Sequence, residues 1–215
     1  MPKKAPEPAY HHGNLREALL AAALQELGRE GARPLSLRAI AAAVGVSVAA
    51  VYRHFPNKQA LLAEVAVDGF RRLGELWERE LPTRGAPGSQ TRFQHLGELY
   101  IAFALASPAH FRLMFAQADI REYPALREAA ERCRSYVHGV AQEAVMAAGA
   151  DAAWVLPMAD AAWSIVHGYV HLALEHLLSP NGEKPALSPA LLTHFLCLPP
   201  EALAGGKRGG KAKKR

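Results

Sequence analysis

Apolar residues recur at three- and four-residue spacings along most of the chain, and alternation at period two is sustained nowhere. The pattern predicts an all-α protein. Asn14 followed by Glu17 has the form of a capping box, and Leu15, Leu19, Ala22, Ala23 and Leu27 continue it as one apolar face, ending near Gly28–Gly31. Ser36 can cap a second, short helix holding Leu37, Ile40, Ala41 and Val44, with Gly45 suited to the left-handed residue that stops it. Ser47 can cap a third, from Val48 to about His54. Pro56 stands just before a long fourth helix, about Asn57 to Leu81, marked by Leu61, Leu62, Val65 and Phe70.

The stretch Pro82–Gln90, PTRGAPGSQ, reads as a linker. Beyond it the spacing predicts helices over 91–106, 108–117, 122–148, 151–179 and 188–197. The breaks fall at Ser107-Pro108, Tyr123-Pro124, Gly149 and Ser179-Pro180. Pro157 either sits in the first turns of its helix or marks a break. Residues 1–13 read as a flexible arm and 201–215 as a disordered basic tail.

Half of the residues are hydrophobic and 21% are charged, enough for a sizeable core. The N-terminal MPKKAPEPAYHHGN holds no apolar run of signal-peptide length, and no stretch reaches the roughly 18 apolar residues a membrane span needs. The expectation is a soluble cytoplasmic protein with no membrane partner. Cys133 and Cys197 are not a close-spaced pair and read as buried thiols. The net charge of +5 is uneven: residues 1–58 carry +4, 59–200 carry −4, and 201–215 carry +5. Basic ends around an acidic middle suggest a polyanion for the ends.

Two short helices separated by Gly45-Val46-Ser47 read as a helix-turn-helix. Ala41 supplies the small residue where the helices cross, and Ile40, Val44, Val46 and Val51 supply apolar contacts. The second helix would then present Ser47, Val48, Ala49, Ala50 and Tyr52 outward. Short side chains let a helix sit deep in a major groove, and their methyls can meet a thymine methyl. Tyr52, His54 and Lys58 would reach phosphates on the groove rims. Val51 and Phe55 read as core.

The run LSLRAIAAAVGVSVAAVYRHFPNKQALL, with YHHGNLREALL before it, resembles the DNA-binding domain of TetR/AcrR-type transcriptional regulators over about residues 10–72. The resemblance implies base contacts from Arg38 and the Val48–Ala50 patch, backbone contacts from Tyr52, His54 and Lys58, and a phosphate near Ser36. Family members often carry Gln or Thr where this chain has Val48 and Ala50, so DNA shape would have to contribute more of the specificity. It also implies a helix-turn-helix DNA-binding domain over 14–60, and a ligand-binding and dimerisation domain over 61–200 whose last two long helices form an intersubunit four-helix bundle.

WSIVHG, Trp163–Gly168, resembles a Trp-x-x-x-His-Gly signature of one group of regulatory domains in that family. Phe103, Phe111, Met114, Phe115 and Tyr136, with Trp163 and His167, are available to line an apolar cavity for a hydrophobic or amphipathic small molecule. His167, His171 and Glu175 form an i, i+4, i+8 row, but the signature already accounts for His167, and no metal or cofactor is expected. The sequence shows no nucleophile–base set and no glycine-rich phosphate loop, so an enzyme is not expected. The expected function is a homodimeric repressor released from a palindromic double-stranded operator by a small effector. The alternatives are a DNA-binding dimer without an inducer, or an activator.

Overall fold

A computed structural model of the chain describes residues 15–28, 35–81, 89–116, 123–178 and 187–194, with the side chains at 89–91 and 194 outside it. Regular structure among these residues is wholly helical. In chain order the helices are α1 (Leu15–Leu27), α2 (Leu37–Val44), α3 (Val48–His54), α4 (Lys58–Glu80) and α5 (Ser89–Ala106). They continue with α6 (Pro108–Ala116), α7 (Pro124–Ala147), α8 (Val155–Leu174) and α9 (Pro189–His194). A single 3-10 turn, Ala152–Trp154, leads into α8. The expected arm, the Asn14 cap, Cys197 and the tail 201–215 lie outside the described residues.

The chain divides into two compact units. The first runs to Gly69 and takes in Ala109–Arg127; the second holds Phe70–Pro108 and everything from Glu128 onward. The sequence places its domain boundary at 60/61, whereas the packing divides α4 near its middle.

In the first unit α1 packs on α2 and α2 on α3. Leu19, Ala23, Ile40 and Val51 are fully buried, and Ala41 and Phe55 nearly so. Each large aliphatic among them contributes about 1.5–3 kcal/mol. Gly45 ends α2 at φ 76°, in the left-handed region that glycine enters without a Cβ penalty. Its N–H donates to the Ala42 carbonyl at 3.2 Å and the Val46 N–H to that of Ala41 at 2.9 Å, a Schellman pair that satisfies two orphan carbonyls. Two residues on, the Ser47 hydroxyl accepts from the Ala50 N–H at 3.2 Å and starts α3. Ser36 sits at the N-cap of α2 without a side-chain hydrogen bond, so the cap expected of it is positional only. The Asn57 carboxamide oxygen accepts from the Ala60 N–H at 2.8 Å and caps α4.

Arg16 of α1 reaches Glu64 of α4 at 2.8 Å and lies 5.4 Å above the Phe55 ring. The ion pair is half-exposed, so its contribution is below about 1 kcal/mol, and its main effect is to orient the helices. Against the first half of α4 sits α6. A Cβ at Gly69 would lie 2.8 Å from Met114 Sδ and 3.3 Å from His110 Cβ, so the helices approach where only glycine fits. Beside that contact His110 Nε2 lies 3.2 Å from Asp68 Oδ2.

In the second unit α5 packs against α8 and α9. Trp77 stacks on Tyr136 with ring centres 5.7 Å apart. Arg92 is almost buried and pairs with Glu143 at 2.6 Å. The Cys133 thiol donates to the Phe70 carbonyl at 3.3 Å, and burial pushes it up to about 11, leaving an unreactive thiol. Asp151 accepts from the Ala153 N–H at 2.8 Å ahead of α8. Pro157 is the third residue of α8, where its missing N–H has no partner to lose. This helix stops at Leu174, short of the expected 179. A second Schellman turn closes it: His176, at φ 57°, donates to the Ala173 carbonyl at 3.1 Å and Leu177 to that of Leu172 at 2.8 Å.

Two substitutions test this packing. Gly69→Ala forces Met114 aside and should lower unfolding free energy by about 1–3 kcal/mol. His176→Gly relieves a left-handed side-chain residue and should raise it by about 1 kcal/mol. Urea midpoints at unchanged slope measure both.

Candidate nucleic-acid interface

The residues expected to meet DNA lie within twenty-three positions, Ser36 to Lys58, on α2, α3 and the start of α4. The Gly45 turn decides which way α3 faces. Its inner side buries Ala50, 5% exposed, and Val51. Its outer side leaves Ser47, Ala49, Tyr52 and Arg53 exposed and Val48 half-buried. Arg38 and Ser36 are exposed on α2, His54 is exposed at the end of α3, and Lys58 is half-buried at the start of α4.

The expected contact residues all keep some exposure except one. Ala50 does not face outward. A seven-residue helix resting on two neighbours needs an inward edge, and the Ala50 methyl fills it beside Val51. Sequence alone could not separate adjacent alanines 49 and 50, because their chemistry is the same. Only the helical phase set by the Gly45 turn distinguishes them.

The surface is narrow and lightly functionalised. Its centre carries a hydroxyl and methyl groups, and its edges carry the Tyr52 phenol, 53% exposed, and the cations Arg38, Arg53 and Lys58. Small groups at a helix N-terminus suit entry into a major groove, and hydroxyls and cations at the edges suit phosphate contacts. A cleft of about 220 Å³ in the same unit lies beneath His54 and Phe55 and is bounded by Arg16 and Glu64. None of the seven residues expected to hold an effector lines it.

Those seven fall in both units. Phe111, Met114 and Phe115 belong to the first, where Phe111 is buried, its ring tilted against that of Phe115 at 5.2 Å, and Met114 fills the seat left by Gly69. Phe103, Tyr136, Trp163 and His167 belong to the second unit. Phe103 is buried there, and the Tyr136 hydroxyl is shared between Arg92 at 3.4 Å and the Trp77 carbonyl at 3.5 Å. Trp163 is 47% exposed, and seven of the first eleven positions of α8 are exposed.

What the sequence around Trp163 does not show is Tyr100 of α5. Its buried hydroxyl lies 2.7 Å from His167 Nδ1, while His167 Nε2 lies 3.1 Å from His171 Nε2. The Trp163 side chain hydrogen-bonds the same hydroxyl, and its ring packs 5.4 Å from that of His167. Burial pushes the Tyr100 phenol well above its usual range. Burial, with His171 next to it, holds His167 down to about 4, so its imidazole is neutral near pH 7. Tyr100 stands 67 positions from His167, and no local signal could pair them.

Among the described residues no group of three or more metal-ligating side chains converges, and no single helix is long and apolar enough to cross a membrane.

Comparison with known proteins agrees with this geometry. Residues 19–65 match the family described as bacterial regulatory proteins, tetR family. Residues 93–195 match the tetracyclin repressor-like C-terminal domain, and together the two matches span well over half of the chain. A nucleoid occlusion factor, SlmA, of Aliivibrio fischeri strain MJ11 is 34% identical over 119 residues, 53% of this chain. The chain spans 58% of the length of that relative. A Rhodococcus sp. RHA1 protein of unknown function superposes with a TM-score of 0.69 at 30% identity, over 88% of this chain and 94% of its own. A putative transcriptional regulator of Pseudomonas aeruginosa PAO1 shares the fold at a TM-score of 0.60 and 20% identity, over 87% and 89% of the two chains. The two family matches, the all-helical architecture and the helix-turn-helix make this chain a member of the TetR family of DNA-binding transcriptional regulators, not an enzyme.

Proposed function

We propose that the chain acts as a homodimeric repressor that reads a two-fold DNA site and is released by a small hydrophobic or amphipathic molecule. The observation that carries the DNA reading is the outer side of α3, exposed at Ser47, Ala49, Tyr52 and Arg53 while Ala50 and Val51 hold its inner side to the core. Ser47, Val48 and Ala49 enter the groove, with Arg38 beside them for a base edge. Tyr52, His54, Lys58 and Ser36 hold the phosphates. Two such heads about 34 Å apart match successive major grooves on one face of a duplex.

Effector response draws on α4, whose first half belongs to one unit and second half to the other. A 23-residue helix is about 35 Å long, so a small tilt becomes several ångströms at its end. The residues proposed to meet the effector are Phe103, Phe111, Met114, Phe115, Tyr136, Trp163 and His167. Reducing operator affinity 100-fold takes about 2.7 kcal/mol of preference by the ligand for the released state.

Selection of bound duplexes from a random pool tests the DNA reading. The expected product is a short inverted repeat with half-sites one helical turn apart, and a pool that returns no enriched duplex overturns it. Lys58→Ala should weaken binding to every duplex and reduce the salt slope of log K by about 1. Tyr52→Ala should weaken all duplexes alike. An unchanged slope in an anisotropy titration would remove Lys58 from the phosphate contacts. Operator binding that no apolar small molecule reduces would favour a regulator without an inducer.

A further inference from the structure

Helix α8 keeps a side turned away from its own subunit that its interior contacts do not explain. Asp160, Ala161, Ser164, Ile165, His171 and Leu172 are all exposed along it. At Gly168, mid-helix, an added Cβ would meet nothing within 4 Å among the described residues. Glycine there costs about 1 kcal/mol against alanine, and no neighbour within the chain requires it. A bare backbone between Ser164 and His171, flanked by exposed Ile165 and Leu172, suits close approach by another helix.

On that side two imidazoles already point their Nε2 atoms at each other. His167 Nε2 and His171 Nε2 are 3.1 Å apart. Two nitrogens of a tetrahedral zinc shell lie about 3.3 Å apart, from bonds of about 2.0–2.1 Å. The rear nitrogen of His167, Nδ1, is held at 2.7 Å by the Tyr100 hydroxyl. With Nδ1–H donating to that oxygen, the Nε2 lone pair faces His171 Nε2. Such a rear hydrogen bond fixes tautomer and ring angle in metal-binding histidines. Tyr100 is buried on α5, which packs against α8, so the His167 ring is held by the fold and not only by its own helix.

We infer that His167 and His171 bind a divalent transition-metal ion of the zinc, nickel or copper class, and that the same pair from a second copy completes a four-nitrogen shell across the α8 faces. Imidazole nitrogen is the donor these ions share. One chain supplies two donors and cannot close the shell; a second copy packed on Gly168 brings two more. The inference rests on the homodimer proposed above.

The test uses full-length protein without an affinity tag, in a His11→Ala/His12→Ala background that removes the other histidine pair. Metal content after dialysis against zinc, the visible bands of four-coordinate cobalt on Co²⁺ loading, and mass by analytical ultracentrifugation in EDTA and in zinc are read together. The expected result is one ion per two chains, with the cobalt bands and the bound ion lost in His171→Ala, an exposed position that leaves the fold intact. Tyr100→Phe should weaken zinc affinity about tenfold while retaining the stoichiometry, as expected of a positioning residue. A dimer that binds no ion, one ion per chain, or binding that survives His171→Ala overturns the inference and leaves the dimer standing. A monomer in both EDTA and zinc overturns the inference and the homodimer together.

Discussion

The left-handed residue at position 45 fixes the direction of α3, and the rest of the reading head is arranged around that direction. Gly45 lets two backbone N–H groups turn back onto α2, so the chain reverses within three residues. Ser47 then restarts a helix whose phase buries Ala50 and Val51. A β-carbon at 45 would cost about 1–2 kcal/mol, and relief of that strain would rotate Ala49 and Tyr52 away from the exposed face. The turn therefore couples stability to recognition at a single backbone angle.

Recognition from such a face is modest in hydrogen bonds. On the proposed reading, Ser47, Val48 and Ala49 bring little that distinguishes one base pair from another except by methyl contact, so sequence preference would fall to Arg38 and to the ease with which a duplex deforms. The second unit is chemically different. It buries a 2.6 Å ion pair between Arg92 and Glu143 and links Trp163, Tyr100, His167 and His171 from α5 to the outer side of α8. Such buried polar links make the α5–α8 contact directional, where purely aliphatic packing would tolerate sliding.

Much of the fold was legible in the sequence because local chemistry decides helix ends. Gly45, Ser47, Pro108, Pro124 and Gly149 each mark a boundary the structure keeps, and each acts within one turn of the chain. The end of α8 was misread by five residues because a histidine, not a glycine, takes the left-handed position there. The exposure of the expected DNA-contact stretch was nearly legible in the sequence because it is one contiguous segment whose phase the Gly45 turn sets. Which unit each aromatic serves was not, because composition alone cannot say it. That Met114 packs on Gly69 depends on a partner 45 positions away. Tyr100 was invisible for the same reason, since its role depends on a partner 67 positions away.

The reading head is assembled from two stretches of chain separated by about forty residues, and proteins are synthesised from one end. Phe111, Met114 and Leu126 are buried in the same unit as α1–α3, yet they emerge after α5. Until then the seat beside Gly69 is an open apolar notch on the nascent chain. The first unit thus completes its apolar packing only once residues 109–127 have been made, well past the helix-turn-helix itself. A chain ending in α4 would lack the side chains that fill that seat.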